Sequence, residues 1–217
     1  MLNLKNLLNM KNLSKLFSFA MIAMLAMAVT LTGCKDDDDD DEKVLGTANV
    51  GSTTANFTQG HLEYYGTYEG TGLYNFDIVL ASSGLSYTSE SGVGDVLAFE
   101  LLVAGDVFNG GSFTFSDDIW DISANTMISG VFMKGINAAT EVADKMYSAT
   151  AGTLSVTKSG NSYSLAYTLT VQEYSLSGLY PTAIGDPVAL TGSFNGTLTY
   201  HDESAKSVEK KQRISIK

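Results

Sequence analysis

The chain has 217 residues, 44% hydrophobic and 17% charged, with a net charge of −11. Ten basic and 24 acidic residues follow Gly33, so that part alone carries −14; with no basic stripe to neutralise phosphates or headgroups, this argues against nucleic acid and against adsorption to anionic lipid. Aromatic and β-branched residues are too plentiful for a disordered chain, and roughly 160 residues remain for one domain with a proper core.

The first 33 residues read as a targeting segment. Lys5, Lys11 and Lys15 form a positive start, and Leu16 to Leu31 follows as 16 residues without charge. That is short of the roughly 20 residues a transmembrane helix needs, and it has the order of parts of a signal peptide. Translation starts at Met1 or at Met10, the second giving a more ordinary n-region. Cys34 is the sole cysteine, so the chain forms no disulfide within itself. Behind it come Lys35, six aspartates (Asp36 to Asp41) and Glu42. Like charges at this density repel and extend the chain, so residues 34–43 are read as a linker.

Leu31-Thr32-Gly33-Cys34 resembles the lipobox of bacterial lipoproteins. The resemblance implies a thioether-linked diacylglycerol on Cys34, cleavage after Gly33 and acylation of the new amine, and two or three acyl chains anchor a protein stably. The acidic run behind the cysteine resembles the export signal of surface-exposed lipoproteins of the Bacteroidota. It implies an outer-membrane lipoprotein facing the cell exterior.

From Val44 to Tyr200 the pattern has period 2, the mark of half-buried strands. Tyr74, Phe76, Ile78 and Leu80 form one apolar phase, and Leu97, Phe99, Leu101 and Val103 another. Leu102 sits on the outward phase, which predicts a strand covered on both faces. Further strands are expected at Thr53–Phe57, Leu62–Tyr68, Phe113–Phe115 and Ile128–Met133. Gly160-Asn161 fits a two-residue type II′ hairpin turn. That register sets Val156 against Leu165 and Leu154 against Tyr167, all on one face. Asn195-Gly196 carries a similar signal, but Val188, Leu190, Phe194, Leu198 and Tyr200 keep one phase through it. Val188–Tyr200 is therefore read as one long strand, with Gly192 and Gly196 at a bend or close contact. Asn137–Lys145 is compatible with a turn or two of helix. The expected fold is all-β, an antiparallel sandwich of about 8–10 strands, with a small closed barrel of lipocalin type as the alternative. Residues 201–217 reverse the charge balance and read as a basic tail, with Arg213–Lys217 able to add an edge strand. The strand–turn–strand texture of residues 60–200 resembles small uncharacterised all-β lipoproteins of Bacteroidota surfaces.

Catalytic signatures are sparse. His61 and His201 stand at opposite ends of the domain sequence, no Gly-x-Ser-x-Gly elbow occurs, and no His/Cys metal spacing exists. A glycosidase needs two carboxylates, and Asp77 and Glu100, with Glu63, Glu69 and Glu173, lie on or near strands. Their plain reading is a solvated strand face. Asp117, Asp118 and Asp121 are a weak alternative for a Ca²⁺ site. Trp120, Tyr64 and Tyr65 are the candidates for stacking on a sugar ring. The sequence thus points to a surface-anchored, non-catalytic binding or accessory module without a cofactor. Its membrane contact is the lipid on Cys34, and its expected partner is a glycan or an outer-membrane protein complex. A paired-carboxylate hydrolase and a barrel carrying an apolar ligand are the alternatives.

Overall fold

The structure is a computed structural model that describes residues 43–68, 70–118, 122–175 and 181–205. The targeting segment, residues 34–42 of the acidic linker, Glu69, Trp120, Asp121 and Arg213–Lys217 lie outside the described residues.

Among the described residues, twelve strands follow one another: β1 (Gly46–Val50), β2 (Thr53–Phe57), β3 (Gln59–Tyr68), β4 (Leu73–Ala81), β5 (Leu85–Ser86), β6 (Ser91–Val103), β7 (Gly110–Phe115), β8 (Thr126–Asn137), β9 (Lys145–Ser159), β10 (Ser162–Ser175), β11 (Thr182–Thr197) and β12 (Thr199–Asp202). The all-β class expected from the periodicity is the class observed. The two sheets of a sandwich are not formed. One hydrogen-bonded path runs β12-β3-β4-β6-β8-β7-β9-β10-β11-β1-β2, and β5 pairs with β6 beside it. Two pairings, β12 with β3 and β7 with β8, are parallel, so the sheet is mixed.

The sheet curls into a half-barrel. Five register shifts help to bend it: at Tyr64/Gly66, Gly94/Val96, Glu100/Leu101, Thr170/Val171 and Val171/Glu173. Each leaves at least one extra residue on one strand and increases local twist. β11 and β12 are separated only by Leu198, so one nearly continuous strand pairs with β10 and β1 through its first part and with β3, at the opposite end of the path, through its last. The long-strand reading of Val188–Tyr200 holds in this form. Gly192 is required there, because a Cβ would run into the Thr47 carbonyl and the Tyr167 ring.

The hairpin register read from Gly160-Asn161 is observed: Val156 faces Leu165 and Leu154 faces Tyr167. Gly160 has φ 59°, as the first position of a type II′ turn demands. In β10, Tyr163, Leu165, Tyr167, Leu169 and Val171 point inward and are buried, while Ser164, Ala166, Thr168 and Thr170 are exposed. Their partners inside are Phe76, Ile78, Phe99 and Phe132. Phe99 and Tyr167, on strands far apart in the path, pack across the interior with ring centroids 5.3 Å apart. Each such side chain contributes roughly 1.5–3 kcal/mol on full burial, so the apolar interior is what holds the sheet in its curl.

β3, β4, β6 and β8 are covered on their outer face as well. Leu102 is fully buried, as its phase predicted, and Val131, Met133, Ile136 and Met146 form a second apolar cluster. Asn137–Lys145 is a turn rather than a helix. The Asn137 Oδ1 accepts from the Ala139 and Thr140 amides, the Glu141 amide reaches the Asn137 carbonyl, and Glu141 adopts φ 62°. A side chain that caps its own turn competes with helix propagation.

Candidate functional site

The parallel docking of β12 on β3 sets Thr199 against His61 and His201 against Glu63. Alternation turns His61, Glu63 and Tyr65 to the outer face, together with His201. His61 Nδ1 lies 3.0 Å from His201 Nε2. The Tyr87 ring, from the turn after β5, stacks on His61 at 3.8 Å and 14° and tilts against His201 at 4.4 Å. Burial, and then the neighbouring His201, push the His61 pKa down to about 4. His61 is therefore a neutral imidazole at physiological pH.

Glu63 is clamped by two phenols. Tyr65 donates to Oε2 at 2.5 Å and Tyr87 to Oε1 at 2.6 Å. Burial and the surrounding carboxylates raise both phenol pKa values, so both stay protonated as donors. The next two strands continue the row. Glu63 stands opposite Asp77, and Asp77 opposite Glu100. Directly opposed residues hold their Cβ atoms about 5 Å apart, and like charges there are destabilising. Asn75 donates to Glu100 Oε1 at 2.9 Å. Asp77 is buried, and its Oδ1 has no hydrogen-bond partner among the described residues. Burial first, then Glu100 and Glu63, raise its pKa well above the usual carboxylate range. The row thus favours a proton held on Asp77 between two flanking carboxyls.

The inner phase of the same strands ends in a second constellation. Tyr64 on β3 and Tyr74 on β4 are half-buried, with near-parallel rings 6.5 Å apart. Tyr64 also packs on Phe76 at 4.9 Å, and Phe76 on Phe108 at 5.4 Å. Tyr200 and Asp202 of β12 stand opposite Leu62 and Tyr64 and share their phase. Tyr200 is 55% exposed. Asp106 and Asp202 are exposed and close enough to Tyr64 and Tyr200 to add to the rise in phenol pKa that burial begins.

The sequence-derived candidates fall unevenly on this geometry. Tyr64 is on the aromatic rim. Tyr65 is buried beneath the outer face with its hydroxyl committed to Glu63, which removes it as an open sugar platform. Asp117 and Asp118 are exposed in the loop after β7, and the Asp118 amide donates to Ser116 Oγ. Their third partner, Asp121, and Trp120 lie outside the described residues, as does Cys34. Among the described residues, no group of three or more His, Cys, Asp and Glu is arranged to hold a metal ion. Asp77 and Glu100 do meet across the sheet, with Asp77 buried and Glu100 half-buried rather than both on a solvated face. The pairing of His61 with His201 was not legible, since 140 residues separate them. Parity offered the one usable signal: His61, Glu63 and Tyr65 share a phase opposite to Leu62 and Tyr64. No protein-family model, no curated protein and no solved structure matches this chain.

Proposed function

We propose that this chain is an outer-membrane lipoprotein, held by acyl chains on Cys34 and displayed to the cell exterior, whose β-domain is a non-catalytic binding or accessory module. The observation that carries the reading is Leu31-Thr32-Gly33-Cys34 at the end of a 16-residue uncharged run, with the acidic stretch behind it. The first strand starts at Gly46, so the tether from Cys34 spans at most about 40 Å fully extended. That length keeps the domain close to the membrane. The domain's own features fit a binding role. The His61–His201 bond and the Tyr65 and Tyr87 hydroxyls on Glu63 tie β3 to β12 and to the turn after β5, while aromatic rings reach the surface at the rim.

Two measurements test the anchoring: palmitate labelling of cells and protease accessibility of intact cells. Cys34→Ala is expected to abolish labelling and release a folded domain. Replacing Asp36–Asp41 with alanine is expected to keep the label and lose surface exposure. Unchanged protease accessibility after that replacement would sink the export reading.

The opposed carboxyls of Asp77 and Glu100 favour a second reading, a small hydrolase. Turnover of a glycan that disappears in Asp77→Asn or Glu100→Gln would establish it. The packing of Phe99 on Tyr167 across the interior weighs against a carrier of apolar ligands.

A further inference from the structure

The aromatic rim at the end of β3, β4 and β12 has a composition that packing alone does not require. Three tyrosines converge there, although Phe or Leu would fill the same apolar positions. Two of them lean on the core: Tyr64 packs on Phe76, which rests on Phe108. Such rings are held rigidly before anything binds, which lowers the entropic cost of association. The third, Tyr200, is the largest exposed aromatic surface among the described residues. Val107, 60% exposed, adds an apolar shoulder next to Asp106.

Among the described residues, the charged groups beside Tyr64 and Tyr200 are acidic, Asp106 and Asp202. Asp202 Oδ1 accepts from the Ser204 hydroxyl at 2.6 Å and from its amide at 3.0 Å. Those bonds hold the Asp202 carboxyl below the usual range and keep it ionised. An ionised carboxylate only accepts hydrogen bonds. A ligand suited to this rim therefore presents apolar faces to the rings, hydroxyl donors at its edge and no negative charge. Barrel mouths with apolar walls and a few convergent polar groups are common ligand sites.

We propose that Tyr64, Tyr74 and Tyr200, flanked by Asp106 and Asp202, form a binding site for neutral sugar chains. Pyranose rings stack their C–H faces on the tyrosines and donate hydroxyl hydrogens to the two carboxylates. This deepens the binding-module reading above and rests on it, but not on the lipid anchor. Uronic acids and sulfated sugars are rejected, because their charges would meet Asp106 and Asp202 within a strongly acidic domain.

The test is titration calorimetry on the full chain in detergent. The ligands are neutral hexasaccharides of glucose, xylose, mannose and galactose, with polygalacturonate, chondroitin sulfate and nona-arginine as comparators. At least one neutral chain is expected to bind. Tyr200→Ala is expected to weaken it about tenfold, the ~1.4 kcal/mol within reach of one aromatic contact. Its melting temperature should not move, since the ring is mostly exposed. Asp106→Asn, also exposed, is expected to weaken binding about threefold, corresponding to ~0.65 kcal/mol. Full-strength binding in both variants would overturn the rim as the site and leave the binding-module reading standing. Selective binding of the anionic chains or of nona-arginine would overturn the ligand chemistry. Binding of none of the neutral chains at millimolar concentration would overturn the proposal, with the labelling and protease results for the anchor unaffected.

Discussion

His61 Nδ1 and His201 Nε2 lie 3.0 Å apart, 140 residues from one another along the chain. The pair joins the first long strand of the domain to its last described one. It sits just beyond the point where β11 continues into β12. Two neutral imidazoles can share this hydrogen bond, since one ring donates and the other accepts. Two imidazolium rings cannot, because both are donors only.

Acid should therefore loosen this junction. The folded-state pKa of His61 is lowered to about 4 from an ordinary 6.5. Between those values the unfolded chain binds the proton and the folded chain does not, so this contribution to stability is complete above pH 6.5 and falls as pH drops towards 4. Urea midpoints measured from pH 7.5 to 4.5 should show the decline, and His61→Gln should flatten it. An equal slope in the variant would remove His61 as the cause.

Asp77 works in the opposite sense. Its raised folded-state pKa means that the fold holds a proton that the unfolded chain releases above about 4. Its contribution is present at low pH and is lost as pH rises towards the folded pKa. Asp77→Asn keeps the shape and removes the charge from between Glu63 and Glu100. The variant should be more stable than the parent at pH 7.5 by about 1–2 kcal/mol, of the order of an unsatisfied buried polar group. The gain should shrink at pH 5. Calorimetric unfolding at both values checks this, and a variant less stable than the parent at pH 7.5 would show that Asp77 is ionised and satisfied.

Gly192 is the tightest point of the β1–β11 contact. A Cβ there meets the Thr47 carbonyl and the Tyr167 ring, both fixed by the 2.7 Å bond from the Tyr167 hydroxyl to that same carbonyl. Gly192→Ala should cost about 2–3 kcal/mol, the scale of overpacking a closed site. Gly196→Ala approaches only side-chain atoms of Leu45 and Phe194, at 3.0 Å and beyond, and should cost less. Equal denaturation midpoints for the two variants would contradict this account.

Much of the fold was legible because strand formation leaves a local mark. β4, β6 and β10 show their buried phases in the spacing of Phe, Leu, Ile and Tyr, and Gly160 announces the β9–β10 hairpin through a conformation few other residues tolerate. β1 was missed because Gly46-Thr47-Ala48-Asn49-Val50 is short and carries small residues. These are small because β11 approaches closely: a Cβ on Gly46 would press on the backbone of Ser193 and Phe194. Asn137–Lys145 misled because its composition permits a helix while Asn137 caps a turn.

By itself the sequence determined the all-β class, the phase of the long strands, the register of one hairpin and the expectation of a lipid anchor at Cys34. Each depends on residues within a few positions of one another. Only the tertiary structure decided that the strands form one curled sheet, that β12 runs parallel to β3, and that His61 faces His201 while Asp77 faces Glu63 and Glu100. Those pairings depend on which distant strand edges meet, and that choice is set by bulges, by filling of the interior and by the break between β11 and β12 at Leu198. Period-2 alternation states which face a residue takes; it carries no information about the strand that will lie beside it.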